Sequence, residues 1–110
     1  MIDWQRVQSL KEEIGDEDFG EIVPLFIDEV SEITQRLGQD VDMSTLEEDL
    51  HCLKGSALNL GFSEFSDLCH HGESLAAQGK PEAVDVRAIL ASFDTSKRAF
   101  LAGLQDGVAA

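Results

Sequence analysis

"STLEEDLHCLKGSALNLG", residues 44–61, decides the fold. Turned by about 100° per residue, Leu46, Leu50, Leu53, Ala57 and Leu60 fall in one narrow arc, the core face of an amphipathic helix. Ser44 with Glu47 reads as a capping box at its start, and Gly61 as its stop. Gly55 stands inside this helix, where glycine costs about 1 kcal/mol relative to alanine. His51, one turn earlier, points roughly 140° away from the centre of the apolar arc and therefore outward. The pairing of an outward histidine with a costly glycine suggests that something bulky approaches His51 from outside.

Working outward, helical periodicity covers nearly the whole chain. Asp3 caps a first short helix that runs to about Ile14, with Trp4, Val7 and Leu10 at helical spacing and Gly15 as its stop. A second helix is expected from about Glu17 to Leu37, on the stripe Phe19, Ile22, Phe26, Val30, Ile33 and Leu37; Pro24 either starts its regular part or kinks it. After residue 61, Ser63 caps a fourth helix that reaches about Gln78. Pro81 suits the first turn of a last helix carrying Val86, Ile89, Phe93, Phe100 and Leu104. No period-two alternation or Asn-Gly hairpin signals a strand, and no repeat or low-complexity segment is present. Short connections between long helices predict an all-α fold: an antiparallel up-down four-helix bundle with an additional short N-terminal helix.

The chain has 110 residues, enough for one modest core, so residues 1–110 are expected to form a single domain. Its net charge of -14 argues against nucleic acid and anionic membrane surfaces as partners, and favours a monomer. No leader-like start and no run of about 18 apolar residues is present, so neither a signal peptide nor a membrane span is read. Cys52 and Cys69 are too few for a disulfide scaffold, which leaves a cytoplasmic location as the default. The length and the opening Met1 lean toward a free-standing protein.

Chemistry concentrates around His51. Gly55 removes a side chain where an incoming group needs space, and Lys54 leans toward the same spot with a cation. Leu58 and Phe62 flank the face as candidates for exposed apolar docking surface. If the third and fourth helices are antiparallel about a turn near Phe62, Glu73 lies level with His51. A carboxylate there accepts a proton from one imidazole nitrogen and leaves the other as nucleophile. Together these residues describe a place where a protein partner delivers an anion to an imidazole.

"HCLKGSALNLG", residues 51–61, resembles the signature of histidine-containing phosphotransfer (Hpt) domains, which runs His-x-Leu-Lys-Gly-Ser and then Leu-Gly. "FSEFSDLCHHGESLAAQG" and "GDEDFGEIVPLFIDEV" are similar to the flanking helices of that family, so the resemblance covers most of the chain. It implies a helical bundle that carries a phosphoryl group between receiver-domain aspartates, in exchange with response regulators and a sensor or hybrid histidine kinase. By position, His51 would be the phosphoacceptor, Lys54 would steady the phosphoryl oxygens and Gly55 would admit the receiver. Ser56 falls at the family's serine, and Glu73 where glutamine or glutamate often adjoins the imidazole. Two departures stand out: Leu50 replaces a frequent alanine, and Gly72, beside Glu73, weakens its helix locally. No cofactor is expected on this chain, because its helix face offers no carboxylate cluster around His51; Mg2+ would belong to the receiver. The absence of a Gly-x-Gly-x-x-Gly or Walker-type loop leads us to expect a phosphoryl carrier without nucleotide binding or autokinase activity.

Two rival readings remain. His51, Cys52, Cys69, His70 and His71 are zinc-ligand types, but adjacent residues on one helix point about 100° apart and cannot easily share an ion, so no metal site is expected. A helical interaction module without chemistry accounts for Leu58 and Phe62 but leaves the His-Lys-Gly grouping unexplained.

Overall fold

The computed structural model describes residues 2–105, so Met1 and residues 106–110 of the expected domain lie outside the described residues. Five α-helices follow one another: α1 (Trp4–Ile14), α2 (Asp16–Gln39), α3 (Leu46–Leu60), α4 (Ser63–Ala77) and α5 (Val86–Gln105). The chain is an all-α helical bundle. Contacts between α2 and α3, α3 and α4, α4 and α5, and α5 and α2 close a ring of four, with α1 laid against α2 and α3. Side-chain pairs show neighbours running in opposite directions: Arg36–Asp49 and Glu29–Cys52 join α2 to α3, and His51–Glu73 joins α3 to α4.

Local signals set most of the helix ends. The Asp3 carboxylate accepts from the Arg6 backbone N–H at 3.2 Å and opens α1. Asp16, Glu17 and Asp18 occupy the first turn of α2, where negative charge offsets the helix dipole. Pro24 lies inside a continuous α2, a little over two turns from its start. The buried line of α2 is Phe19, Val23, Ile27, Val30, Thr34 and Leu37, whereas Ile22, Phe26 and Ile33 of the expected stripe are only half-buried. A period of three and four residues fits both lines, and polar Thr34 hid the true one. Its hydroxyl is satisfied by the Val30 carbonyl at 2.9 Å, which lets it sit inside.

Three expected helix starts are displaced. Ser44 makes no capping box, because Asp42 captures both its N–H (2.9 Å) and its hydroxyl (2.6 Å); Thr45 takes the N-cap position of α3. Ser63 is the first residue of α4, with Phe62 at the N-cap. Pro81 opens a separate 3₁₀ turn, Pro81–Ala83, and α5 starts only at Val86. Asp85 supplies its start, accepting from the Ala88 N–H at 3.1 Å, a bond for which proline has no equivalent.

The α3–α4 turn fixes the level of the two helices. Gly61 adopts φ +74°, and a Cβ there would lie 2.6 Å from the Asp3 carbonyl oxygen, so glycine is required twice over. The Asp3 N–H donates to the Gly61 carbonyl at 2.7 Å, tying the start of α1 to the turn. Phe62 then points inward, with its ring centroid 5.3 Å from that of Phe100 in an edge-to-face contact. Trp4 stacks on Phe100 at 5.9 Å and covers Gly103, where any Cβ would collide with the indole.

Candidate functional site

His51, Lys54 and Glu73 meet on the outer side of the α3–α4 pair. His51 Nδ1 lies 2.7 Å from Glu73 Oε2, and Lys54 Nζ lies 2.7 Å from Glu73 Oε1. One carboxylate thus holds both side chains, each by its own oxygen. The His51 side chain is 70% exposed, whereas Lys54 and Glu73 are 22% and 18% exposed. A carboxylate can only accept, so the neutral ring carries its proton on Nδ1 and presents the Nε2 lone pair. The Lys54 ammonium, opposed by burial and aided by His51, holds the Glu73 carboxyl below its ordinary value.

The register that brings residue 73 to residue 51 depends on Gly72, which is buried. A Cβ there would lie 2.9 Å from Leu50 Cδ1 and 3.1 Å from Val84 Cγ1. Leu50, itself fully buried, occupies the space that Gly72 vacates. The two departures from the resembled pattern are therefore one complementary pair, and Gly72 serves close helix approach rather than merely weakening α4.

A Cβ added at exposed Gly55 would meet nothing within 4 Å. Nothing in the described residues requires glycine there, so the open surface beside His51 is the one property it confers. Leu58 is 55% exposed, two turns beyond His51 on α3.

Two expected docking residues are corrected. Phe62 is completely buried, because the positive φ at Gly61 reverses the chain and the α3 wheel does not extend past Leu60. Ser56 is also buried, since it falls on the α2 side of α3, where Cys52 one turn back and Asp49 two turns back touch Glu29 and Arg36. Neither residue can line an exposed face.

Sequence reading also missed Glu47 and Glu48. With Ser44, His51 and Glu73 they line a shallow groove beside the histidine. Their spacing of three and four residues before His51 was the available signal.

Among the described residues, no group of three His, Cys, Asp or Glu side chains is arranged to hold a metal ion. Cys69 is buried, and burial pushes its thiol up to about 12, whereas Cys52, His70 and His71 are exposed. Cys52 donates to Glu29 at 3.4 Å; partial burial first, and that carboxylate second, raise its pKa. No helix of the described residues is long and apolar enough to cross a membrane.

On this helical bundle one exposed histidine, His51, is oriented by a carboxylate and flanked by a cation and a bare glycine. Residues 21–107 match the family model of the Hpt domain, and the chain belongs to that family. No curated protein and no solved structure matches it.

Proposed function

We propose that this chain is a phosphoryl carrier of a multistep phosphorelay, with His51 as the phosphoacceptor, acting in the cytoplasm as a monomer between response-regulator receivers and a sensor or hybrid kinase. The observation that carries this reading is the 2.7 Å pairing of His51 Nδ1 with Glu73, which leaves Nε2 free on an exposed ring. Family membership supplies the reaction class.

In the forward step the Nε2 lone pair attacks the phosphorus of an aspartyl phosphate. The N–P bond forms as the P–O bond to the aspartate breaks, and the aspartate leaves as a carboxylate. The Nδ1 proton stays in its hydrogen bond to Glu73, whose negative charge offsets the positive charge that develops on the ring. Lys54, tethered to the same carboxylate, is placed to meet a phosphoryl oxygen. Gly55 and Leu58 give the receiver room and an apolar contact. The return step is the same sequence reversed onto another receiver aspartate. Rate enhancement comes from positioning and charge neutralisation. The divalent cation of the reaction is assigned to the receiver, because both oxygens of Glu73 are already engaged.

Incubation with phosphorylated receiver domains followed by intact-mass measurement tests the reading. Wild type is expected to gain one acid-labile, base-stable phosphoryl group, and His51→Gln none. A His51→Gln protein that gains the same group would refute the assignment. A folded wild type that binds receivers but never gains it would favour the interaction module without chemistry.

A further inference from the structure

Leu58 belongs to two surfaces at once. It follows His51 on the outer side of α3, and it walls a groove of about 380 Å3 whose other lining residues are Asp3, Arg6, Asn59, Gly61 and Ser63. The opposite wall of this groove is α1. Asp3 N–H donates to the Gly61 carbonyl at 2.7 Å, and Arg6 Nη2 donates to Asn59 Oδ1 at 3.1 Å. Trp4, seated on Phe100 across Gly103, anchors the same end of α1 from behind. The family match begins at residue 21, within α2, so α1 lies outside the matched segment. The groove therefore exists only because α1 is docked there.

Size argues that a partner on His51 reaches this groove. Leu58 follows His51 by two helical turns, roughly 10 Å along the axis. One side of a standard interface covers about 800 Å2, a patch roughly 30 Å across. A body centred on Nε2 with that footprint covers Leu58 and the mouth of the groove.

Charge argues what that body carries. Glu47 and Glu48 line the groove on the N-terminal side of His51, and Asp3 lines the other. Arg6 is engaged by Asn59 and by Glu13 at 3.5 Å, which leaves the charge offered to a partner predominantly negative on a chain of net -14.

We infer that the groove between α1 and the α3–α4 turn is a second anchor of the docking face, and that its occupant is an apolar side chain of a receiver domain with basic residues on either side. The inference rests on His51 being the phosphoryl carrier. It makes α1, through Asp3 and the wall it builds against Leu58, a determinant of which receivers are accepted.

The test uses the intact protein and a receiver domain that phosphorylates wild-type His51. Transfer rates are measured against receiver concentration for Leu58→Asp, for Ser63→Trp, which fills the groove mouth, and for Leu101→Asp, an exposed leucine of α5 outside the groove. The half-saturating receiver concentration is expected to rise about tenfold in each groove variant, the loss typical of a central anchor, and to stay put in Leu101→Asp. Glu47→Lys with Glu48→Lys is expected to weaken the fall of subsaturating transfer with added salt. Unchanged melting temperatures establish that the variants fold. A Ser63→Trp protein that matches wild type while His51 is still phosphorylated would overturn the inference alone, as would transfer that is indifferent to salt; a silent Leu58→Asp would overturn the inference together with the apolar contact assigned above to Leu58. Failure of every receiver to phosphorylate wild type would overturn the underlying reading with it.

Discussion

Glu73 does two jobs with one carboxylate, and its two oxygens separate them. Oε2 fixes the His51 tautomer and Oε1 holds Lys54. Glu73→Gln keeps an acceptor for Nδ1–H but loses the charge that tethers Lys54, whereas Glu73→Ala loses both. Phosphotransfer from a receiver is therefore expected to fall about 10- to 100-fold in Glu73→Ala and by less in Glu73→Gln, as read by quenched-flow transfer rates. The same group leaves a thermodynamic signature. Its pKa is lowered in the folded state, so its contribution to stability is present above the ordinary value of 4.5 and is lost as pH falls below it through the lowered folded value. Urea melts at pH 7 and pH 3 should accordingly show a smaller loss on acidification for Glu73→Gln than for wild type. Cys69 gives the opposite sign. Its thiol is raised to about 12 by burial, so the folded state loses stability as pH climbs above 9, the ordinary thiol value, toward that figure. Cys69→Ala should flatten the alkaline limb of the melting curve, and Cys69 should resist alkylation until the protein unfolds.

At the scale of helices, the pair Leu50 and Gly72 sets how closely α3 and α4 approach, and with it the distance from His51 to Glu73. Leu50→Ala removes a fully buried side chain and should cost about 2–5 kcal/mol. Gly72→Ala gains about 1 kcal/mol of helix propensity but drives a methyl into Leu50, with overpacking costing about 1–3 kcal/mol. The double variant should be more stable than the sum of the two singles predicts, by about 0.5–3 kcal/mol in denaturant melts. Strict additivity would mean that the two side chains do not share one space. The helices themselves were legible because leucine spacing in α3 and the glycines at residues 15 and 61 are local signals. The level of Glu73 with His51 was readable too, since a tight turn between two antiparallel helices leaves little freedom. The burial of Phe62 was not, because it depends on a chain reversal at Gly61 that a helical wheel cannot represent. The start of α5 escaped for a similar reason: a carboxylate at residue 85 outcompetes a proline at 81, a choice made by hydrogen bonding rather than by periodicity.

Across the whole molecule, 22 acidic residues against eight basic ones set a field that the fold must tolerate. Self-repulsion at -14 should make the protein more stable in salt, because exposed charges are screened beyond about 10 Å at 0.1 M ionic strength. Calorimetric melting temperatures should therefore rise between 10 mM and 500 mM sodium chloride, solution conditions chosen to span weak and strong screening. A decrease would point to net stabilisation by attractive pairs such as the Arg36–Asp49 fork. One positive centre survives inside this field at the site, Lys54, and it is held within reach of the imidazole by Glu73.

The nitrogen that carries the phosphoryl group is the most direct test of this arrangement. Long-range proton–nitrogen correlation spectra of the phosphorylated, nitrogen-labelled protein read it at His51. The expected result is a phosphorus coupled to Nε2, with the Nδ1 proton retained in its bond to Glu73. A phosphoryl group on Nδ1, or on any residue other than His51, would contradict the account.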